Sequence, residues 1–150
     1  MLKRKRQETI DSWTTLIDPE CEVSEGAYMV NGISMAMLKG KPKFSEVAGF
    51  VLNFIDNAVI VCHNSPFDLG FLKREFEIAG LAPPQNPILD TLLLARKYYR
   101  FPDYKLKTVA EYMGLSNKGV HRASNDVFLT CQVFESFIAD FQKKGVNLLE

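Results

Sequence analysis

The sequence predicts an α/β layer fold: a mixed sheet flanked by helices, within a single domain of 150 residues. Three observations carry this. The run Ala58-Val59-Ile60-Val61-Cys62 is apolar, β-branched and too short for a core helix, so it reads as a strand covered on both faces. A helical period precedes it, with Val47, Phe50, Val51, Phe54 and Ile55 at i, i+3, i+4, i+7 and i+8. A second strand-to-helix passage follows, where Pro87 to Leu89 deliver Asp90 into a helix from Thr91 to Tyr99.

The remaining elements follow in order. MLKRKR opens the chain with four consecutive cations, Lys3 to Arg6, which read as a solvated basic tail through residue 8 or as a phosphate-contacting arm. Thr9 to Ile17 is β-branched, aromatic and aliphatic enough for a strand, ended by the turn Asp18-Pro19-Glu20. Residues 21 to 43 read as irregular, with a short helical turn over Ile33 to Leu38. Ser45 is placed to cap the next helix, and Asp56-Asn57 to break it. A helix is expected over Phe67 to Ala79, ended by Gly80, and then a loop through Pro83-Pro84. Another helix spans Leu106 to Met113. A long last helix begins near Ala123 and is expected to bury Val127, Cys131, Phe134, Ile138 and Phe141.

Hydrophobic residues at 47% and charged residues at 24% are average for a globular protein, which excludes wholesale disorder. No apolar run is long enough to span a bilayer and no signal peptide opens the chain, so a cytoplasmic protein without membrane contact is expected. Cys21, Cys62 and Cys131 are odd in number and widely spaced, which favours buried reduced thiols over a disulfide framework. Lys plus Arg balance Asp plus Glu at 18 each. A neutral chain does not hold nucleic acid by bulk electrostatics, so any such chemistry has to come from a local site.

Three polar clusters sit where strands end or helices begin, the usual place for ligand sites in α/β sheets. The first is Cys62-His63-Asn64-Ser65-Pro66-Phe67-Asp68. Its bland reading is a capping segment, with Asn64 or Ser65 as cap and Asp68 favouring the helix dipole. The second is His121-Arg122-Ala123-Ser124-Asn125-Asp126, where His121 either packs or serves as a general base beside a carboxylate. The third is Asp90, which alone reads as an N-cap. Asp68 and Asp126 are candidates for one metal site, because Mg²⁺ takes hard oxygen ligands and a pair of ions can stabilise the attacking and leaving oxygens of a phosphodiester. Zinc is disfavoured, since Cys62-His63 has no second pair at zinc-ligand spacing.

The stretches NGISMAMLKGKPKFSEV (31–47), VCHNSPFDLGFL (61–72), DTLLLAR (90–96), YKLKTVAEYMGL (104–115) and HRASNDVFLT (121–130) together resemble the DEDDh 3′–5′ exonuclease family. That family includes the proofreading epsilon subunit of bacterial DNA polymerase III. HNxxFD with HRAxxD is a specific combination. The resemblance implies a ribonuclease H-like exonuclease fold and two-metal hydrolysis of nucleic acid from a single-stranded 3′ end, with Mg²⁺ or Mn²⁺ as cofactor. It makes Asp68 and Asp126 metal ligands and His121 the general base. His63, Asn64, Phe67 and Phe71 then shape the substrate site, Asp90 is secondary, and a DNA polymerase subunit is an implied partner.

One feature of the family is missing. Its first motif, a strand followed by DxETTGL, supplies two further metal-binding carboxylates, and MLKRKRQETI contains no Asp-x-Glu. Asp18-Pro19-Glu20 has that spacing but reads as a turn, because proline fixes it. The domain is therefore expected to be shortened at its front, with its central strand absent. Activity of the chain alone is then impaired, unless a missing segment or strand exchange in a homodimer restores it. The alternative is a catalytically inactive module that binds nucleic acid or a polymerase.

Overall fold

The computed structural model describes residues 1–5, 8–115 and 123–145. The chain begins in strand β1 (Leu2–Lys5), antiparallel to β2 (Glu8–Ser12), with Leu2 opposite Ser12 and Lys5 opposite Glu8. The basic run expected as a tail is thus a strand. Its side chains have partners on two sides: the Lys3 ammonium lies 5.9 Å from the centre of the Phe54 ring, and the Arg4 guanidinium lies 2.6 Å from the Glu135 carboxylate. Long cationic side chains cover apolar surface with their stems and keep their heads polar, so cations alone do not exclude a strand. β2 ends at Ser12, five residues short of the expected Ile17. From there the chain turns away, and the Asp18 N–H is bonded to the Pro42 carbonyl at 2.9 Å.

Helix α1 (Glu25–Asn31) falls in a segment expected to be irregular. Its ends are chemically explicit: the Ser24 side chain accepts the Ala27 N–H, and Gly32, at φ +67°, donates its own N–H to the Tyr28 carbonyl. α2 (Met35–Leu38) is the expected short turn. α3 (Phe44–Ile55) buries Ala48, Val51 and Phe54. Ser45 does not cap it; instead the Glu46 carboxylate reaches back to the Lys43 N–H at 2.7 Å.

Strand β3 (Ile60–Cys62) pairs in parallel with β4 (Ile88–Asp90), Ile60 beside Ile88 and Cys62 beside Asp90. Between them runs α4 (Ser65–Ile78), which starts earlier than expected because a proline in the first turn needs no N–H partner. α5 (Thr91–Tyr98), α6 (Leu106–Tyr112) and α7 (Ala123–Lys144) complete the fold.

One core cluster joins α5, α6 and α7 through Ala95, Val109, Ala110, Leu129, Val133, Phe137 and Phe141. A smaller one joins α3 to α4 through Ala48, Val51 and Phe76, with Met1 and Trp13 packed against it. The stripe of α7 that is fully buried is therefore 129–133–137–141, rather than the expected one through Val127, Cys131, Phe134 and Ile138. Those four are only partly covered, or exposed in the case of Val127. The physical reason lies in what faces them. Glu135 meets Arg4 of β1, so this second stripe looks toward the strands, which among the described residues form two separate ladders with an interruption between them.

That interruption is the fold's main peculiarity. β1 lies between α3, through Lys3 and Phe54, and α7, through Arg4 and Glu135. β3 packs against α4 on one side and α7 on the other. Both two-stranded sheets thus pack against α7, β1 with α3 and β3 with α4, yet no ladder joins them among the described residues. A cleft of about 250 Å³ opens beside β1 and the first turns of α7, lined by residues including Met1, Leu2, Trp13, Val127 and Phe128.

Candidate active site

The first polar cluster stands at the carboxyl end of β3, where the chain must turn sharply into α4. Asn64 takes a left-handed conformation there, φ 73° and ψ 57°, which asparagine tolerates better than most residues with a Cβ. The turn is held from the neighbouring strand. Asp90, buried at the end of β4, accepts the Asn64 N–H at 3.0 Å, the Ser65 N–H at 2.8 Å, the Ser65 hydroxyl at 2.9 Å and the Leu92 N–H at 2.8 Å. Burial pushes the Asp90 carboxyl up, but the hydrogen bonds from Ser65, Asn64 and Leu92 outweigh it and hold it below the usual range. Asp90 is both the expected cap of its own helix and the brace of the next turn.

His63 is also tied at both ring nitrogens. Nδ1 lies 2.9 Å from the Thr91 hydroxyl and Nε2 lies 2.9 Å from the Tyr104 carbonyl. A carbonyl only accepts, so Nε2 carries a proton. The Thr91 hydroxyl stands between Nδ1 and the Cys62 carbonyl, 3.2 Å from the latter, and its one proton serves one of them at a time; when it turns to the neutral ring, Nδ1 accepts it. The imidazole thereby joins β3, α5 and the segment before α6. Thr91 and Tyr104 had no expected role; only their contact with His63 exposes one.

Asp68 follows in the first turn of α4, on the exposed side, with Phe67 and Phe71 beside it as an edge-to-face pair whose rings are 5.1 Å apart. These two phenylalanines are 64% and 61% exposed, an unusual state for large aromatic side chains. Desolvation and the Asp90 charge raise the Asp68 carboxyl above its ordinary range, partly offset by its own backbone and His63. Asp126 lies exposed in the first turn of α7. His121 lies outside the described residues.

Hard divalent ions need more oxygen donors than this. Among the described residues, no three His, Cys, Asp or Glu are grouped to hold a metal ion. Asp68 and Asp126 alone supply too few carboxylates for a two-metal site. Asp18 and Glu20 do not make up the difference. The Asp18 carboxylate accepts the Glu20 N–H at 2.9 Å, and Glu20 pairs with Lys43 at 2.5 Å, as a turn requires. Cys62 is half-buried; burial, then Asp68 and Asp90, push its thiol up to about 11. Cys21 is exposed, contrary to the expected burial.

Known structures show the same architecture. Exonuclease X in complex with 5′-overhanging duplex DNA superposes with a TM-score of 0.75 at 19% identity, over 93% of this chain and 80% of that one. The nuclease domain of 3′hExo, a DEDDh family member bound to rAMP, gives 0.77 at 17% identity, over 89% and 74%. The fold is that of a ribonuclease H-like exonuclease domain. The RNase_T exonuclease family model matches residues 2–134, and the chain belongs to that family. The resemblance to DEDDh exonucleases and DNA polymerase III proteins is likewise borne out. The PolC-type DNA polymerase III of Thermotoga petrophila is 35% identical over 93% of this chain, and the epsilon subunit of Treponema pallidum is 31% identical over 93%. The chain spans about a tenth of the length of the PolC-type relatives and 66% of the epsilon subunit.

Proposed function

We propose that this domain is built for 3′–5′ exonucleolytic hydrolysis of nucleic acid, centred on the turn between β3 and α4. One observation carries the reading: Asp90 and His63 lock that turn from two sides while leaving Asp68 and two aromatic rings exposed beside it. In this reading Asp68 and Asp126 are carboxylate ligands for Mg²⁺ or Mn²⁺. When bound, such ions would polarise the phosphate and ready a water for attack. His121 serves as the general base that accepts a proton from the attacking water. Phe67 and Phe71 offer faces on which unpaired bases of a 3′ end stack, worth about 1–3 kcal/mol per base. Asn64 fixes the turn, and His63 orients it.

The interrupted strand layer supports a second part of the proposal. In this reading a further strand, from another segment or from a second copy by strand exchange, joins the two sheets and brings the carboxylates that the described residues lack. The likeness to DNA polymerase III proteins supports a DNA polymerase subunit as partner, in the cytoplasm. A second reading, an inactive module that binds nucleic acid or a polymerase, is favoured by the absence of a group of three metal-ligating side chains among the described residues.

The test is degradation of a 5′-labelled single strand with Mg²⁺ or Mn²⁺, by the chain at several concentrations. Shortening from the 3′ end, abolished in Asp68→Ala and Asp126→Ala, is expected. Binding without any shortening establishes the inactive module.

A further inference from the structure

In a chain of zero net charge, five cations fall within the twelve residues from Arg96 to Lys107, against the single carboxylate of Asp103. All five are exposed. They sit on the last turn of α5, the loop after it and the first turn of α6, interleaved with aromatic rings. Arg96 lies over the Tyr104 ring, its guanidinium carbon 5.9 Å from the centroid, and Lys105 is the next residue of the chain. Tyr104 also lends its carbonyl to His63, five residues before Asp68. The imidazole feels both the Arg96 guanidinium and the Asp68 carboxylate, so the basic cluster and the candidate reaction centre border one group.

A guanidinium held over an aromatic ring by a cation–π contact still has N–H donors to offer phosphate oxygens. An ammonium on the adjacent residue adds a second point charge. The geometry points to Arg96 and Lys105, flanking Tyr104, as the grip on the phosphate backbone of the nucleic-acid strand that leads away from the Asp68 site. This rests on the exonuclease reading and adds the surface that tracks the substrate. Local concentration of charge explains how a neutral chain holds a polyanion.

Fluorescence anisotropy of a labelled oligothymidylate tests this in EDTA across a salt series, with the whole chain. The Arg96→Ala/Lys105→Ala variant is expected to bind at least tenfold more weakly at low salt. Its log–log salt slope should fall by roughly 1.4, the loss of two single-strand phosphate contacts. Arg96→Lys should keep most of the slope, and the control Lys39→Ala/Lys41→Ala should keep all of it. Thermal melts of each variant confirm folding. Unchanged affinity and slope in the double variant, or an equal loss in the control, overturns the assignment. If hydrolysis still depends on Asp68 in that case, the exonuclease reading stands without it. Failure of the unaltered chain to bind overturns both.

Discussion

Asp90 holds Ser65 twice, accepting its N–H at 2.8 Å and its hydroxyl at 2.9 Å across 25 residues of sequence. With the Asn64 and Leu92 bonds, one buried carboxylate satisfies three backbone donors at the starts of two helices. Asp90→Ala leaves those donors unpaired in a buried turn, at a cost of about 3 kcal/mol and a Tm drop of roughly 10 °C. The sign of its pH dependence follows from the lowered folded-state carboxyl. That stabilisation is present above the ordinary carboxylate value of about 3.9 and is lost as pH falls through the lower folded one. The gap between wild type and Asp90→Ala in thermal melts should therefore narrow below about pH 4; a gap constant down to pH 2 contradicts the role of the charge.

His63 should be neutral at pH 7 with its proton on Nε2. Burial lowers its pKa, and the Tyr104 and carboxylate interactions only partly restore it. Nitrogen-15 chemical shifts of the ring read the tautomer directly, and an Nδ1–H form is incompatible with the Tyr104 bond. Because the folded value lies below the unfolded value of about 6.5, the unfolded chain binds more protons near there. Stability should fall as pH drops through that region, and His63→Gln should flatten the dependence between pH 5 and 7.

Cys21 should alkylate before Cys62. Cys21 is exposed, whereas Cys62 is half-buried with its thiol pushed up to about 11 by burial, Asp68 and Asp90. Only the thiolate reacts, so at pH 8 the Cys62 thiol should be modified a few hundredfold more slowly than a free thiol of pKa about 8.5. Peptide mass spectrometry after timed iodoacetamide treatment gives both rates. Equal rates would show that the β3 end is open to solvent.

How much of this was legible in sequence depends on the range of the interaction. α3, α4 and α6 announce themselves by local periodicity and by the residues that end them, and the β3 and β4 strands by apolar runs ending at His63 and Asp90. Helix α1 was missed although Ser24 is a good start signal and Gly32 a good stop signal, because its apolar residues Tyr28, Met29 and Val30 remain exposed and show no core-facing pattern. The strand at Leu2–Lys5 was hidden by its charges, whose partners Phe54 and Glu135 lie far along the chain. At the site, Asp68 and Asp126 stand out as motif residues. The brace made by Thr91 and Tyr104 does not, since a backbone carbonyl and a buried hydroxyl leave no motif.

Asp68 should trade stability for function. Desolvation and the nearby Asp90 charge raise its carboxyl above the usual range, so the folded protein holds the ionised form less readily than the unfolded chain does. For an acid shifted this way, the penalty is fully present above the folded value and disappears as pH falls below the unfolded one, near 3.9. Asp68→Asn removes the charge and should raise Tm at pH 7 in EDTA. Solvent screening of this exposed group limits the gain to a few tenths of a kcal/mol. The same variant should lose any metal-dependent hydrolysis. Melts of wild type and Asp68→Asn at pH 7 and pH 3 check the sign: the variant should be the more stable at pH 7 only. A carboxylate that served the fold, as Asp90 does, would give the opposite result, so this pair of melts separates a residue kept for chemistry from one kept for structure.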